Sequence, residues 1–399
     1  MFYTKDMEDT LTRLRLLSAE MSLEPAEESR PAIALEPGCL TPVRSPRDDR
    51  RRAAFIYPAT LPNGQRIKLL KTQLSSACER DCYYCPFRAG RNFRRATFRP
   101  EEFARIFMQL FHSGVTEGLF LSSGLAGGGV RTQDRLIETA EILRFKLGFQ
   151  GYIHLKIMPG AQRTQVERSM QLADRVSVNL EAPNSIRLAR LAPHKQFTDE
   201  LLEPLKWVAA VRKNQPAEKG WNGKWPSSVT QFVAGGSGES DLELLTATAY
   251  LYSRLGLKRA YFSPFNPVED TPLENQPATP AIRTLRLYQA SFLLRDYGFD
   301  LKDLPFESGG LLPVEMDPKQ AWAWTHLRHQ PVEVNRADRS ELLRVPGIGP
   351  KSADAILRIR RSARIKEFST LKMLGVLAKR AAPFLLLEGH RSAYQEYLI

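Results

Sequence analysis

The 399-residue sequence predicts an α/β protein, a parallel sheet built from strand–helix units and followed by a small all-α domain. Three observations carry this. From about residue 65 to 298 short apolar runs alternate six times with longer stretches of helical periodicity, as in a parallel sheet with right-handed crossovers. A Cys-x3-Cys-x2-Cys loop, Cys78-Glu-Arg-Asp-Cys82-Tyr-Tyr-Cys85, directly follows the first of these strands. After about residue 330 the strand pattern stops, and short amphipathic helices flank a Pro-Gly-Ile-Gly-Pro-Lys turn. The expected domains are 1–50 (N-terminal helix and Pro-rich linker), 51–300 (the α/β domain), 301–330 (an irregular connector carrying Trp322 and Trp324) and 331–399 (the all-α domain).

Taken in order, residues 1–23 place Leu11, Leu14, Leu17 and Met21 at helical spacing, which predicts an amphipathic helix. Residues 24–50 hold five prolines and many charges, the composition of a linker or a surface-draped segment. The basic run Arg47, Arg50, Arg51 and Arg52 ends it, a solvated stretch or a phosphate contact. Strands are expected at 67–74, 118–124, 152–160, 175–184, 227–240 (strand plus loop) and 259–267. The intervening helices are expected at 99–114, 134–148, 164–173, 199–213, 242–256 and 280–298. The first carries Phe103, Ile106, Phe107 and Leu110 on one face.

Two strands alternate in an informative way. Tyr152, His154 and Lys156 share one face against Ile153, Leu155 and Ile157, and Ser177, Asn179 and Glu181 oppose Val176, Val178 and Leu180. The interior of an ordinary barrel is filled with branched apolar side chains. A polar face between flanking helices points instead to a polar ligand inside, the alternative being a solvent-exposed face.

Composition bounds the function. Hydrophobic residues make up 43% of the chain, as in globular proteins. The net charge of +13 favours polyanionic partners, nucleic acid above all, although solubility alone also explains a surplus of this kind. No long apolar run predicts a spanning helix, and the charged N-terminus lacks a signal-peptide core. The expectation is a soluble cytoplasmic protein with no membrane partner and with reduced cysteines.

The chain has four cysteines, three of them in the short loop and the fourth, Cys39, far upstream. Three thiolates so close together can serve one metal centre. A structural zinc site would need a fourth ligand, and Cys39 would have to supply it. Iron–sulfur clusters normally take four Cys ligands. Three ligands on a four-iron cluster would leave one iron open for chemistry.

The loop Cys78–Cys85 resembles the signature of the radical S-adenosylmethionine (SAM) superfamily. The resemblance implies a [4Fe–4S] cluster on Cys78, Cys82 and Cys85, with SAM on the open iron and an external electron donor. It also implies cleavage of SAM to a 5′-deoxyadenosyl radical that abstracts a hydrogen atom from substrate. The six strand–helix units match the partial (β/α)6 barrel of these enzymes, with the cysteines at the C-terminal end of the first strand, where such barrels collect functional residues. Ser122-Ser123-Gly124 resembles the segment that bonds the methionyl amino group, but the acidic residue common there is missing. Asn179 and Glu181 resemble the pair that contacts the ribose hydroxyls, and Gln231 opens the segment near the adenine. Tyr84 stands where the family has its adenine-edge aromatic, and Lys156 is a further cofactor-binding candidate on the polar face of its strand.

Between the cysteines and the next helix lie Arg88, Arg91, Arg94, Arg95 and Arg99, interleaved with Phe93 and Phe98. Arginine suits phosphate and aromatics suit base stacking, so Arg91, Arg94 and Arg95 are candidates to guide a nucleic-acid strand. A basic surface loop anchored by its two phenylalanines is an equally good reading.

Residues 334–361 resemble a helix-hairpin-helix. Asp338 or Ser340 would cap a first helix with Leu342 and Leu343. Gly347, Ile348 and Gly349 form the turn, and Lys351 and Ser352 open the second helix. The glycines let backbone N–H groups approach a phosphate, Lys351 adds charge, and Ile348 packs between the helices. Such a motif grips the DNA backbone without reading bases; the alternative is a protein-docking unit. Residues 368–386 look like a second copy lacking the Gly-x-Gly turn and suited to packing against the first.

Together the two modules are similar to the DNA modification/repair radical SAM proteins along nearly the whole chain. The resemblance implies base modification or lesion repair on DNA and association with a uracil-DNA-glycosylase-like partner. The rivals are an RNA-modifying radical SAM enzyme and a zinc-stabilised nucleic-acid-binding protein without catalysis.

Overall fold

Seven strands form one sheet whose spatial order follows the chain, β1 to β7. The computed structural model describes residues 2–18, 21, 56–61 and 64–391. Cys39, the 24–50 linker and the basic run from Arg47 to Arg52 lie outside the described residues. The elements begin with α1 (Phe2–Ser18), β1 (Ile56–Thr60), β2 (Arg66–Gln73), α2 (Pro100–His112), β3 (Gly118–Ser122) and α3 (Gly129–Glu141). They continue with β4 (Tyr152–Lys156), α4 (Arg163–Leu172), β5 (Arg175–Ser177), α5 (Ser185–Leu191), α6 (Glu203–Asn214), β6 (Ser227–Ala234), α7 (Asp241–Leu255), β7 (Arg259–Pro264) and α8 (Ala281–Asp296). Strands β2 to β7 pair in parallel, as the repeats predict. This is a curled half-barrel sheet with a helix-hairpin-helix motif at its C-terminal side in sequence.

The chain divides into two compact units, Met1–Ser237 with Arg254–Ala278, and Gly238–Ser253 with Thr279–Ile399. In the first, Leu119, Leu121, Ile153, Leu155 and Val176 of the strands are fully buried, as are Phe103, Phe107, Leu136, Val166 and Met170 of the helices. Burial of each such side chain contributes about 2 kcal/mol. In α1, Leu14 and Leu17 are buried as their spacing predicts, and the Lys71 ammonium donates to the Met21 carbonyl (2.8 Å).

The structure departs from expectation at four places in this unit. Strand β1 pairs antiparallel with β2 and was not predicted. Its exposed Pro58 cannot donate to a ladder, which suits an edge strand and hides the strand pattern. The expected strand 175–184 is regular only over β5. Beyond it the Thr230 hydroxyl donates to Val178 O (2.7 Å) and accepts from Leu180 N (3.2 Å), replacing direct backbone pairing. The expected helices 134–148 and 199–213 contain wider turns at Ile142–Lys146 and Phe197–Leu202, and α5 was not foreseen.

The second unit adds α9 (Pro318–His326), β8 (Val332–Glu333), α10 (Arg339–Arg344), α11 (Pro350–Ile359), α12 (Phe368–Met373), α13 (Ala378–Ala381), β9 (Leu385–Leu387) and β10 (His390–Arg391). Residues 301–330 are therefore not irregular throughout. Asp317 caps α9 by accepting from Gln320 N, with Pro318 in its first turn. Strands β8 to β10 form a small sheet in a region expected to be all-α, too short to leave a pattern. Helices α10 and α11 form the expected hairpin. Leu342, Leu343, Ile348, Ala353 and Ile356 fill its core, with Asp338 rather than Ser340 as the cap. The second copy, α12 and α13, packs on the first. Leu377 N donates to Gly347 O (3.0 Å), and the Ser352 hydroxyl donates to Gly375 O (2.9 Å).

Candidate active site

The loop after β2 is held from three sides. At its start, Leu74 N donates to Ser122 O (2.8 Å) and Gly124 N to Ser75 O (2.7 Å). A side chain at Gly124 would put its Cβ 2.4 Å from Ala77 O and 3.2 Å from Cys78 Cβ. Glycine at 124 is thus what lets the end of β3 lie against the first cysteine. Glu79 reaches outward, its carboxylate accepting from Gly127 N and Gly128 N. On the far side, residues 191–200 bind the loop. Tyr83 N donates to Leu191 O (2.7 Å), Asp81 pairs with His194 (2.9 Å), and Arg80 bonds both His194 O and the Glu200 carboxylate.

Arg95 closes the loop from within. Its guanidinium donates to the carbonyls of Ser76 (2.7 Å), Phe87 (3.0 Å) and Arg88 (2.8 Å) and lies 4.3 Å from the Phe93 ring centroid. Arg91 donates to Pro86 O (3.0 Å) and Glu269 O (2.9 Å). These two arginines shape the cysteine loop, as in the reading of this stretch as an anchored basic loop. Their long side chains find backbone carbonyls nearby. Arg94 alone of the three is exposed.

At the C-terminal ends of the strands lies an open cavity. All eleven metal and cofactor candidates taken from the sequence line it. The cysteine loop contributes Cys78, Cys82, Tyr84 and Cys85; the end of β3 contributes Ser122, Ser123 and Gly124. Lys156 comes from β4, Asn179 and Glu181 from the segment after β5, and Gln231 from β6. Leu125, Ile157, Met158 and Phe265 supply apolar wall.

Glu181 is the electrostatic centre. Its backbone is left-handed (φ 65°), and its peptide still bonds β6 through Glu181 N to Gln231 O (2.9 Å) and Val233 N to Glu181 O (2.8 Å). Lys195 donates to Glu181 Oε1 (3.1 Å) and to the Tyr84 hydroxyl (3.2 Å). Burial pushes the Glu181 carboxyl up, but the Lys195 and Lys156 ammoniums and the Tyr84 hydroxyl outweigh it and hold the group below the ordinary carboxylate range. Burial also pushes the Lys156 ammonium down to about 8, against the pull of Glu181.

The donor set fits a cluster and SAM. Burial raises the Cys82 and Cys85 thiols, so they are protonated in the bare chain, and ligation must release those protons. Among the described residues no three His, Cys, Asp or Glu side chains gather tightly enough for a single metal ion. A four-iron cluster offers a separate iron to each of the three thiolates. Glu181 Oε2 is buried without a hydrogen-bond partner, an acceptor ready for a ligand hydroxyl.

Sequence reasoning missed Lys195, which lies in a stretch with no period, and Gln73 and Met21, which also line the cavity. Gln73 was findable: Lys71 and Gln73 alternate with Leu70, Thr72 and Leu74 as the polar face of β4 does.

Residues 72–246 match the radical SAM superfamily and residues 331–359 the helix-hairpin-helix motif. The chain therefore carries a radical SAM domain followed by a helix-hairpin-helix. Enzymes of this superfamily use a four-iron, four-sulfur cluster and SAM. Among solved structures the chain is similar to methylornithine synthase (PylB), at 15% identity over 57% of this chain and 61% of that one, with a TM-score of 0.45. The FeFe-hydrogenase maturase HydG from Carboxydothermus hydrogenoformans shows 15% identity over 57% of this chain and 51% of that one, with a TM-score of 0.45. A radical SAM methyltransferase from Sphaerobacter thermophilus shows 14% identity over 60% of this chain and 75% of that one, with a TM-score of 0.42. The chain spans about half the length of the maturases it matches. No curated protein matches it. No helix among the described residues is long and apolar enough to cross a membrane.

Proposed function

We propose that this chain is a radical SAM enzyme acting on DNA, as a base-modifying or lesion-repairing activity. The observation that carries the reading is the pairing, in one chain, of a cavity lined by every cofactor candidate with a helix-hairpin-helix motif. Cys78, Cys82 and Cys85 would hold the cluster. Ser122, Ser123 and the backbone around Gly124 would bond the methionyl amino group, Asn179 and Glu181 the ribose hydroxyls, and Tyr84 and Gln231 would flank the adenine. Lys195 keeps Glu181 ionised as an acceptor, and the apolar wall limits water around the reacting atoms. When bound, the cofactors supply reductive cleavage of SAM and hydrogen-atom abstraction. Gly347, Ile348, Gly349, Lys351 and Ser352 would hold the duplex by its backbone, with Arg94 as a further phosphate contact. An external electron donor and a uracil-DNA-glycosylase-like partner belong to the same reading.

The test is 5′-deoxyadenosine formation by anaerobically reconstituted protein with reductant and SAM, with no polymer, duplex DNA, single-stranded DNA or RNA. Stimulation by duplex DNA, abolished in Cys78→Ala, is the expected result. Stimulation by RNA alone moves the substrate to RNA. Zinc retained without iron, and no cleavage, leaves a binding protein in its place.

A further inference from the structure

An open groove lies within the second unit, between the hairpin, Lys319, Arg380 and Tyr297. Lys319 sits in the first turn of α9 and is only 8% exposed. Its ammonium donates to the Ile348 carbonyl (2.6 Å) and lies 4.5 Å from the Tyr297 ring centroid. The Tyr297 hydroxyl in turn is 3.5 Å from the point where a Cβ on Gly349 would stand. The other inward carbonyl of the turn, Gly347 O, accepts from Leu377 N (3.0 Å). Gly347 has φ 85°, and a Cβ there would stand 2.6 Å from Leu377 O, so the turn is fitted tightly to its support.

A trans peptide points its C=O and N–H in opposite directions. Ile348 O and Gly349 N belong to one peptide, and Gly349 is the cap of α11, whose N-terminal end also carries the exposed Lys351. A cation on the inner carbonyl therefore fixes that peptide and strengthens the donor at its outer end, since hydrogen bonds in series polarise one another. We propose that Lys319 is a positioning residue for DNA binding, holding and polarising the Ile348–Gly349 peptide so that its N–H receives a backbone phosphate. The proposal rests on the DNA reading above.

The surroundings make this support sensitive to pH. Burial pushes the Lys319 ammonium down to about 7; Asp317 on α9 opposes that shift, and Arg380 on α13, itself paired with Asp317, adds to it. Tyr297 follows α8, and the hairpin presents its carbonyl. A phosphate on the far side of the peptide favours the charged lysine, so binding takes up a proton. Affinity is then greatest below about pH 7 and falls as pH rises through that value.

The experiment is fluorescence anisotropy of the full-length protein on a labelled duplex between about pH 6 and 9, spanning the lysine's titration. Unaltered protein should lose affinity several-fold across the range. Lys319→Met should bind about tenfold more weakly at the acid end, the loss expected for one charge-assisted hydrogen bond, and without that pH dependence. Lys319→Arg should restore the acid-end affinity and hold it to high pH, because arginine stays charged. Thermal melting identifies any variant that has simply unfolded. Should Lys319→Met match the unaltered protein in affinity and pH profile, the assignment is overturned and the DNA reading stands. Absence of binding by the unaltered protein at every pH overturns both.

Discussion

Glu181 holds a backbone conformation that residues other than glycine seldom take, at a cost of about 1–3 kcal/mol. The surrounding bonds to β6 impose it, and the result is a carboxylate in the cavity between Lys195 and Lys156. Glu181→Ala should leave iron content unchanged and raise the apparent KM for SAM at least tenfold, the loss of a charge-assisted hydrogen bond. Steady-state kinetics against iron assay checks it, and a parallel loss of iron would make the residue structural. Gly124 is the opposite case, a residue whose value is a missing atom. Gly124→Ala should force Cys78 away from the end of β3, destabilise the fold by about 1–3 kcal/mol and lower iron incorporation. Full iron loading of that variant would show that the loop can yield.

At the scale of elements, the cysteine loop owes its shape to the segment from α5 to Glu200, which bonds Arg80, Asp81, Tyr83 and Tyr84. None of this was legible in the sequence, because those partners lie more than 100 positions downstream and polar contacts leave no period. The strand–helix alternation and the polar faces of β4 and its neighbour were legible, because successive side chains of a strand point to opposite faces and polarity here alternates between them, although both faces are buried. Thr230 marks the limit of that reading: its hydroxyl interrupts the ladder next to β5, and a threonine in a strand looks ordinary. The first ends of β4 and β5 depend on Arg144, fully buried, which donates to Leu172 O, Phe149 O, Gly151 O and the Asp174 carboxylate. Asp174 in turn accepts from Ile153 N (3.0 Å). Arg144→Met strands those acceptors and should lower stability to urea by about 3 kcal/mol; an unchanged unfolding midpoint would show that water replaces the guanidinium.

For the whole molecule, the surplus of 57 basic over 44 acidic residues is the charge balance that the proposed DNA binding requires. Binding through backbone contacts should be insensitive to sequence and should weaken steeply with salt. Lys351→Ala should weaken affinity for all duplexes alike and reduce the slope of log affinity against log salt by about one. A variant that changes sequence preference and leaves the slope alone would place Lys351 at a base edge instead.

The sequence by itself determined the strand–helix alternation, the three-cysteine loop, the hairpin turn and the polar strand faces. Each rests on a local regularity: period two in strands, period 3.6 in helices, fixed spacing of thiols, glycines at a turn. Only the tertiary structure decided that Lys195 answers Glu181, that Arg95 closes the cysteine loop and that Lys319 sits beneath Ile348. These are long charged side chains whose partners are distant in sequence. A flexible side chain can reach many acceptors, and which one it meets is set by where the folded backbone brings a buried carbonyl or carboxylate that needs a donor.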